Sequence, residues 1–242
     1  MAIATASYTI TWEKLPDDFP LPDEPVDNID QPLLAAALSE CLEQSGRCLE
    51  NVLIATNYGI CATLDGKIVV KAPDWMYVPQ ILVSREEIRR SYTPQLQGDV
   101  PAVVMEFLSE TEGGEYSIKP TYPPGKWFFY EQVLQVPQYA IFEPQQGVLE
   151  VYQLSDAGRY DLQPIDANNR YKIEALDLFL GVWRGTKGNR TGYWLRWWDE
   201  SGEMLPWGVE SVQQERQRAE QERQRAEALT AQLRAAGIEP EV

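Results

Sequence analysis

The sequence contains no histidine. Imidazole is the base of Ser-His and Cys-His nucleophilic chemistry, so both mechanisms are excluded. Cysteine is scarce as well: Cys41, Cys48 and Cys61 are an odd set with no C-x-x-C pair. Three dispersed thiols without a histidine make a poor zinc site, and reduced thiols in a cytoplasmic protein are the expectation. No apolar stretch approaches the roughly 18 residues of a membrane span. The N-terminus lacks a basic region followed by an apolar core, so no secretory signal is expected. Positive charge is short, with 21 Lys and Arg against 37 Asp and Glu and a net charge of −16. That balance excludes a protein that coats nucleic acid by bulk attraction.

What is present is a foldable chain of 242 residues with 44% hydrophobic content. Residues 1–30 hold a short strand at Tyr8–Trp12 and then a proline- and acid-rich linker from Pro16 to Asp30. Asp30 is a candidate N-cap for a helix running to about Ser45, with Leu33, Leu34, Ala37, Leu38, Cys41 and Leu42 at helical spacing. Strand runs follow at Asn51–Asn57, Gly59–Leu64 and Lys67–Ala72, the last two joined by Asp65-Gly66, a strong hairpin signal. Residues 84–100 read as a charged loop near the site, with Arg85, Arg89 and Arg90. Pro101–Leu108 suits a central strand, Ser109–Gly125 a long loop, Lys126–Leu134 a helix and Gln138–Glu143 a strand. Strand, loop, helix, strand in that order predicts a βαβ unit with parallel pairing.

Toward the C-terminus, Leu149–Leu154 and Arg159–Pro164 read as an edge hairpin. Five tryptophans (Trp183, Trp194, Trp197, Trp198 and Trp207) fall in a hairpin-rich region. They are read as packing residues rather than base-stacking platforms. Beyond them, Gln213–Ala219 and Glu220–Ala226 form a seven-residue repeat differing at one position. Its seam is alanine-rich, which predicts a long exposed helix with weak pairing rather than a stable zipper, supported by i,i+3 pairs such as Glu215–Arg218 and Glu222–Arg225. Gly237 ends that helix and Pro240 bars its resumption. The domain plan is a strand and linker over 1–30, a core over 31–180, a tryptophan-rich hairpin region over 181–208 and a helix over 209–242.

The chemistry concentrates in three residues. Asp74 closes the Lys67–Ala72 run through Pro73, Glu106 lies inside the apolar Pro101–Leu108, and Lys126 opens an aromatic helix. A carboxylate embedded in an apolar strand is costly unless a cation or hydrogen bonds compensate it. Two acids, the Phe107 carbonyl as a third oxygen and a nearby amine are a minimal set for Mg²⁺, or Mn²⁺, in phosphodiester hydrolysis. The same residues also admit a bland reading, in which Glu106 pairs with a lysine structurally and Asp74 caps a turn.

Pro73-Asp74, Glu106-Phe-Leu-Ser109, Lys126-x-x-x-Tyr130 and Val136-Pro-Gln-Tyr139 resemble the Uma-two family, restriction-endonuclease-like proteins of the PD-(D/E)XK superfamily abundant in cyanobacteria, over about residues 28–152. The resemblance implies an α/β fold, a mixed central sheet flanked by helices, and metal-dependent cleavage of DNA by an endonuclease. It carries the catalytic acids onto Asp74 and Glu106. The superfamily's usual lysine, two residues after the second acid, is Leu108 here, and the amine moves to Lys126, with Lys119 as its rival. It also implies a homodimer, formed through the C-terminal region or a sheet edge. The alternative is a non-catalytic interaction or scaffold protein that keeps the nuclease-like fold.

Overall fold

The computed structural model describes residues 8–20, 29–109 and 114–237. They fall into two compact units, Met1–Leu205 and Pro206–Val242. The larger unit carries twelve strands in three sheets among the described residues: β1 (Ile10–Thr11), β2 (Leu53–Ala55), β3 (Ile60–Leu64), β4 (Lys67–Lys71), β5 (Trp75–Val78), β6 (Val103–Phe107), β7 (Gln138–Glu143), β8 (Val148–Leu154), β9 (Tyr160–Leu162), β10 (Arg170–Ile173), β11 (Leu178–Lys187) and β12 (Arg190–Trp198). A six-stranded sheet runs in the order β2-β5-β6-β7-β8-β9, and two three-stranded sheets run β1-β3-β4 and β10-β11-β12.

The central sheet is mixed: β6 and β7 are parallel and its other pairs antiparallel. Parallel strands need a crossover, and it is supplied by α2 (Lys126–Phe128) running into a π-helical stretch, Phe129–Leu134. The predicted βαβ unit is therefore present. Every residue of β6 is buried, as a strand covered on both faces requires. On one face Met76, Val78, Val104, Tyr139 and Ile141 pack with Phe129, Tyr130 and Val133 of the crossover. On the other, α1 (Gln31–Gln44) lies against β5 and β12: the Trp75 indole donates to Ser39 Oγ at 3.0 Å and the Trp197 indole to the Leu38 carbonyl at 3.2 Å.

Local chemistry explains most boundaries. The β3–β4 turn places Asp65 at φ 48° and Gly66 at φ 74°, the left-handed pair a tight hairpin needs. Asp30 occupies the N-cap of α1 but makes no capping hydrogen bond; its carboxylate pairs with Arg190 at 2.7 Å instead. Leu33, expected inward, is 43% exposed, and Ala35 takes its place in the buried stripe. The 84–100 segment is less loop-like than its charge suggested, since Tyr92 is fully buried and bridges Ile60. Its Arg90 donates to the Pro16 and Phe19 carbonyls, anchoring the N-terminal segment.

The tryptophan-rich strands β11 and β12 pair over nine positions and pack rather than project. Trp194 and Trp197 are buried, and the Trp75 and Trp197 rings lie 5.9 Å apart. In the second unit α3 (Gly208–Ala235) has no buried residue, as the alanine-rich repeat predicted for a solvated helix. Its ion pairs include Glu220–Arg223 and Arg223–Glu227, a different choice of partners from the Glu215–Arg218 and Glu222–Arg225 pairs expected. Gly237 ends it at φ 77°, and Pro240 lies outside the described residues. No described helix is long and apolar enough to cross a membrane.

Candidate active site

The register of β5 on β6 builds the acid pair. Trp75 faces Met105 and Met76 faces Val104 across the antiparallel ladder, so the next step brings Asp74 opposite Glu106. Even-numbered residues of both strands point to the crossover face, because side chains alternate along a strand. Thus Asp74 and Glu106 open on the side occupied by α2. Asp74 is oriented by the backbone N–H of Phe107, which donates to Oδ2 at 2.6 Å.

Glu106 is fully buried and both its oxygens are engaged. Lys126 Nζ lies 2.9 Å from Oε2, and the Tyr130 hydroxyl donates to Oε1 at 2.9 Å. Lys126 and Tyr130 are one helical turn apart, so one face of the crossover delivers an amine and a phenol to a single carboxylate. Gly125, just before Lys126, allows this approach: a Cβ there would stand 2.0 Å from the Ser117 carbonyl oxygen. The same amine reaches Glu115 at 3.4 Å. Glu115 is held there because its carbonyl accepts from the Tyr139 hydroxyl at 3.0 Å.

Electrostatics follow from burial. Removal from water, opposed by Lys126 and reinforced by like-charge repulsion from Asp74, leaves the Glu106 carboxyl pushed up to about 8. Asp74 is also raised, chiefly by burial, against the lowering effect of the Phe107 N–H. For Lys126, burial works against the ammonium, but the Glu106, Glu115 and Asp74 carboxyls together more than compensate and its pKa ends above the ordinary lysine value. Lys71 is lowered by burial and by repulsion from Lys126.

The expected residues therefore come together: Asp74, Glu106 and Lys126 share one small region, with Lys126 rather than the exposed Lys119 bonded to the second acid. The Phe107 carbonyl is close by but already accepts from Gln31 Nε2 at 2.7 Å, leaving one lone pair. Sequence reasoning missed Gln31, Glu115 and Lys71. Glu115 sits in a long loop and Gln31 opens a helix 76 residues away, so no local spacing marks either. Lys71 had a signal: it lies on the same strand as Lys67, three residues before Asp74.

Among the described residues no group of three or more His, Cys, Asp or Glu side chains gathers as a metal site. One buried carboxylate, one half-buried carboxylate and a carbonyl nevertheless fit Mg²⁺, which keeps several waters and takes only one or two protein carboxylates beside substrate phosphate. Both acids are raised by desolvation, the condition a bound cation would relieve. A groove of about 1260 Å³ lies elsewhere, along the β2 edge, lined by residues including Glu43, Ile54, Thr56 and Arg85 and by none of these acids.

A mixed sheet whose parallel pair is crossed by a helix, with two acids and a lysine where its strands meet that crossover, is a restriction-endonuclease-like fold. The model of the Uma2 family, described as "Putative restriction endonuclease", matches residues 19–185. The chain belongs to the Uma2 (Uma-two) family. Among curated proteins none matches it.

Proposed function

We propose that this chain is a metal-dependent endonuclease that hydrolyses DNA phosphodiester bonds. Asp74, Glu106 and the Phe107 carbonyl would hold Mg²⁺, with Mn²⁺ as a substitute. The observation that carries the reading is Glu106: a carboxyl with no exposure, opposite Asp74, bonded to Lys126 and Tyr130. Packing alone gives no reason to bury one acid fully with a second half-buried beside it, since taking a carboxylate out of water costs on the order of several kcal/mol. A divalent cation, when bound, supplies positive charge to the phosphate and lowers the pKa of a coordinated water.

The protein's own residues do the rest. The Phe107 N–H fixes the Asp74 carboxylate, so one oxygen stays directed into the site. Tyr130 and Lys126 hold Glu106 by both oxygens and favour its ionised form. Lys126 then stands where its ammonium can orient the attacking water and offset charge developing on the phosphate. Glu115 is the competing acceptor that keeps the amine from swinging away. A cytoplasmic homodimer, joined through the C-terminal helix or a sheet edge, would offer one such site to each DNA strand.

A scaffold role is the second reading. The net charge of −16 and the anchoring of Lys126 by two carboxylates favour it. Cleavage assays on duplex, single-stranded and branched DNA with Mg²⁺ or Mn²⁺ separate the two. The endonuclease reading expects cut products from wild type and none from Glu106→Ala or Asp74→Ala, both still folded. Equal cleavage by the variants would reject this site, and no cleavage of any substrate would favour the scaffold.

A further inference from the structure

Strand β4 presents Lys67, Val69 and Lys71 on one face. Val69 anchors that face, buried in the same hydrophobic core as Phe128, Phe129 and Tyr130 of the crossover. Lys67 lies at the outer end with its ammonium 5.1 Å from the Tyr122 ring centroid, and the Tyr122 hydroxyl donates to the Ile68 carbonyl at 3.2 Å. Lys71 lies at the inner end, roughly 13 Å further along by strand rise. It leads through Ala72-Pro73 into Asp74.

The two inner amines differ in what they hold. Lys126 is bonded to Glu106 and Glu115. Lys71, half-buried beside them, has no hydrogen-bond or ion-pair partner among the described residues. A half-buried ammonium without a partner is costly, and an anion is what relieves it. Nor is its nitrogen sealed away, since it is absent from the buried polar atoms that lack partners.

Resting on the endonuclease reading above, we infer that Lys71 is the phosphate-gripping amine of this site. It donates to a non-bridging oxygen of the DNA phosphodiester, while Lys126 remains the counter-ion of Glu106. The two lysines have separate roles, Lys126 favouring the ionised acid and orienting the water while Lys71 fixes the phosphate. Lys67, with the half-exposed Tyr122 ring, continues the cationic face outward along β4 toward the next stretch of backbone. Burial first and then the neighbouring Lys126 charge hold the Lys71 ammonium below the ordinary lysine value, against a partial opposing pull from Glu106, so an arriving phosphate relieves the repulsion.

The test is fluorescence anisotropy of a labelled duplex DNA with the full chain in Ca²⁺, a cation chosen to permit binding without cutting, across a range of salt. Lys71→Met should weaken binding about tenfold or more and lower the salt slope by about one. Lys71→Arg should stay within about threefold of wild type. Lys71→Gln repeats the charge removal should the methionine variant fail to fold. Wild-type affinity and slope in folded Lys71→Met or Lys71→Gln would overturn the inference, as would wild-type protein that binds no DNA. Cleavage in Mg²⁺ separates this result from the parent reading. DNA bound through Lys71 but never cut leaves the inference standing and removes the endonuclease. Cutting by Lys71→Met with wild-type kcat and KM does the reverse.

Discussion

Replacing Tyr130 by phenylalanine removes one hydroxyl and nothing else from the centre of the site. That hydroxyl is fully buried and donates to Glu106 Oε1 at 2.9 Å. A hydrogen bond to a charged group contributes about 1.5–3 kcal/mol, and at about 1.4 kcal/mol per pH unit its loss should carry the Glu106 pKa upward by roughly one to two units. Any activity that needs ionised Glu106 should then show its acid limb displaced to higher pH by the same amount. At pH 7 the rate should fall roughly 10- to 100-fold, and most of it should return only near pH 10–11. Thermal unfolding reports the structural cost separately: about 1–2 kcal/mol, or a Tm lower by roughly 3–8 °C for a unit of this size. The assay is a rate–pH profile on a single DNA substrate, with melting followed in the same buffers. A profile that drops uniformly at every pH, or does not move at all, would refute the claim that Tyr130 acts by holding Glu106 ionised.

Metal-free protein should lose stability as pH rises from about 4.5 to about 8, because native Glu106 keeps a proton that the unfolded chain gives up in that window. The loss is at most about 5 kcal/mol, and chemical denaturation at pH 5, 6.5 and 8 checks its sign; rising stability across that range would contradict the burial argument. Gly125→Ala should destabilise by about 1–3 kcal/mol and lower cleavage at least tenfold, since the added Cβ meets the Ser117 carbonyl and displaces Lys126; unchanged melting and activity would show that the loop yields freely. Deleting residues 210–242 should leave the Met1–Leu205 unit cooperatively folded, because α3 contributes no buried residue. Melting measures the fold and sedimentation the assembly, and loss of a cooperative transition would contradict this.

Where one local pattern decided an element, the sequence was readable. The Asp-Gly turn between β3 and β4, the apolar β6 and the order of strand, loop, helix and strand around Lys126 each carry their own signal. Asp74 and Glu106 stood out because acids beside apolar strands break the expected pattern. Their opposition across β5 and β6 was not visible, because it depends on a register set by the whole sheet. Glu115 and Gln31 reach the site through loop and helix placement, and their own neighbours in sequence say nothing about it. Asp30 shows the converse: its N-cap position was legible, yet its side chain was drawn to Arg190, 160 residues away, by a stronger charge interaction. Residues 84–100 read as a charged loop near the site, but Arg90 of that stretch serves the N-terminal segment.

Anomalous scattering from crystals equilibrated with Mn²⁺ tests the central claim most directly. The account predicts one strong peak on the crossover face, about 2.0–2.4 Å from carboxylate oxygens of Asp74 and Glu106 and from the Phe107 carbonyl, and its disappearance in Glu106→Gln. A peak at other residues, or none between these two acids at saturating Mn²⁺, would contradict it.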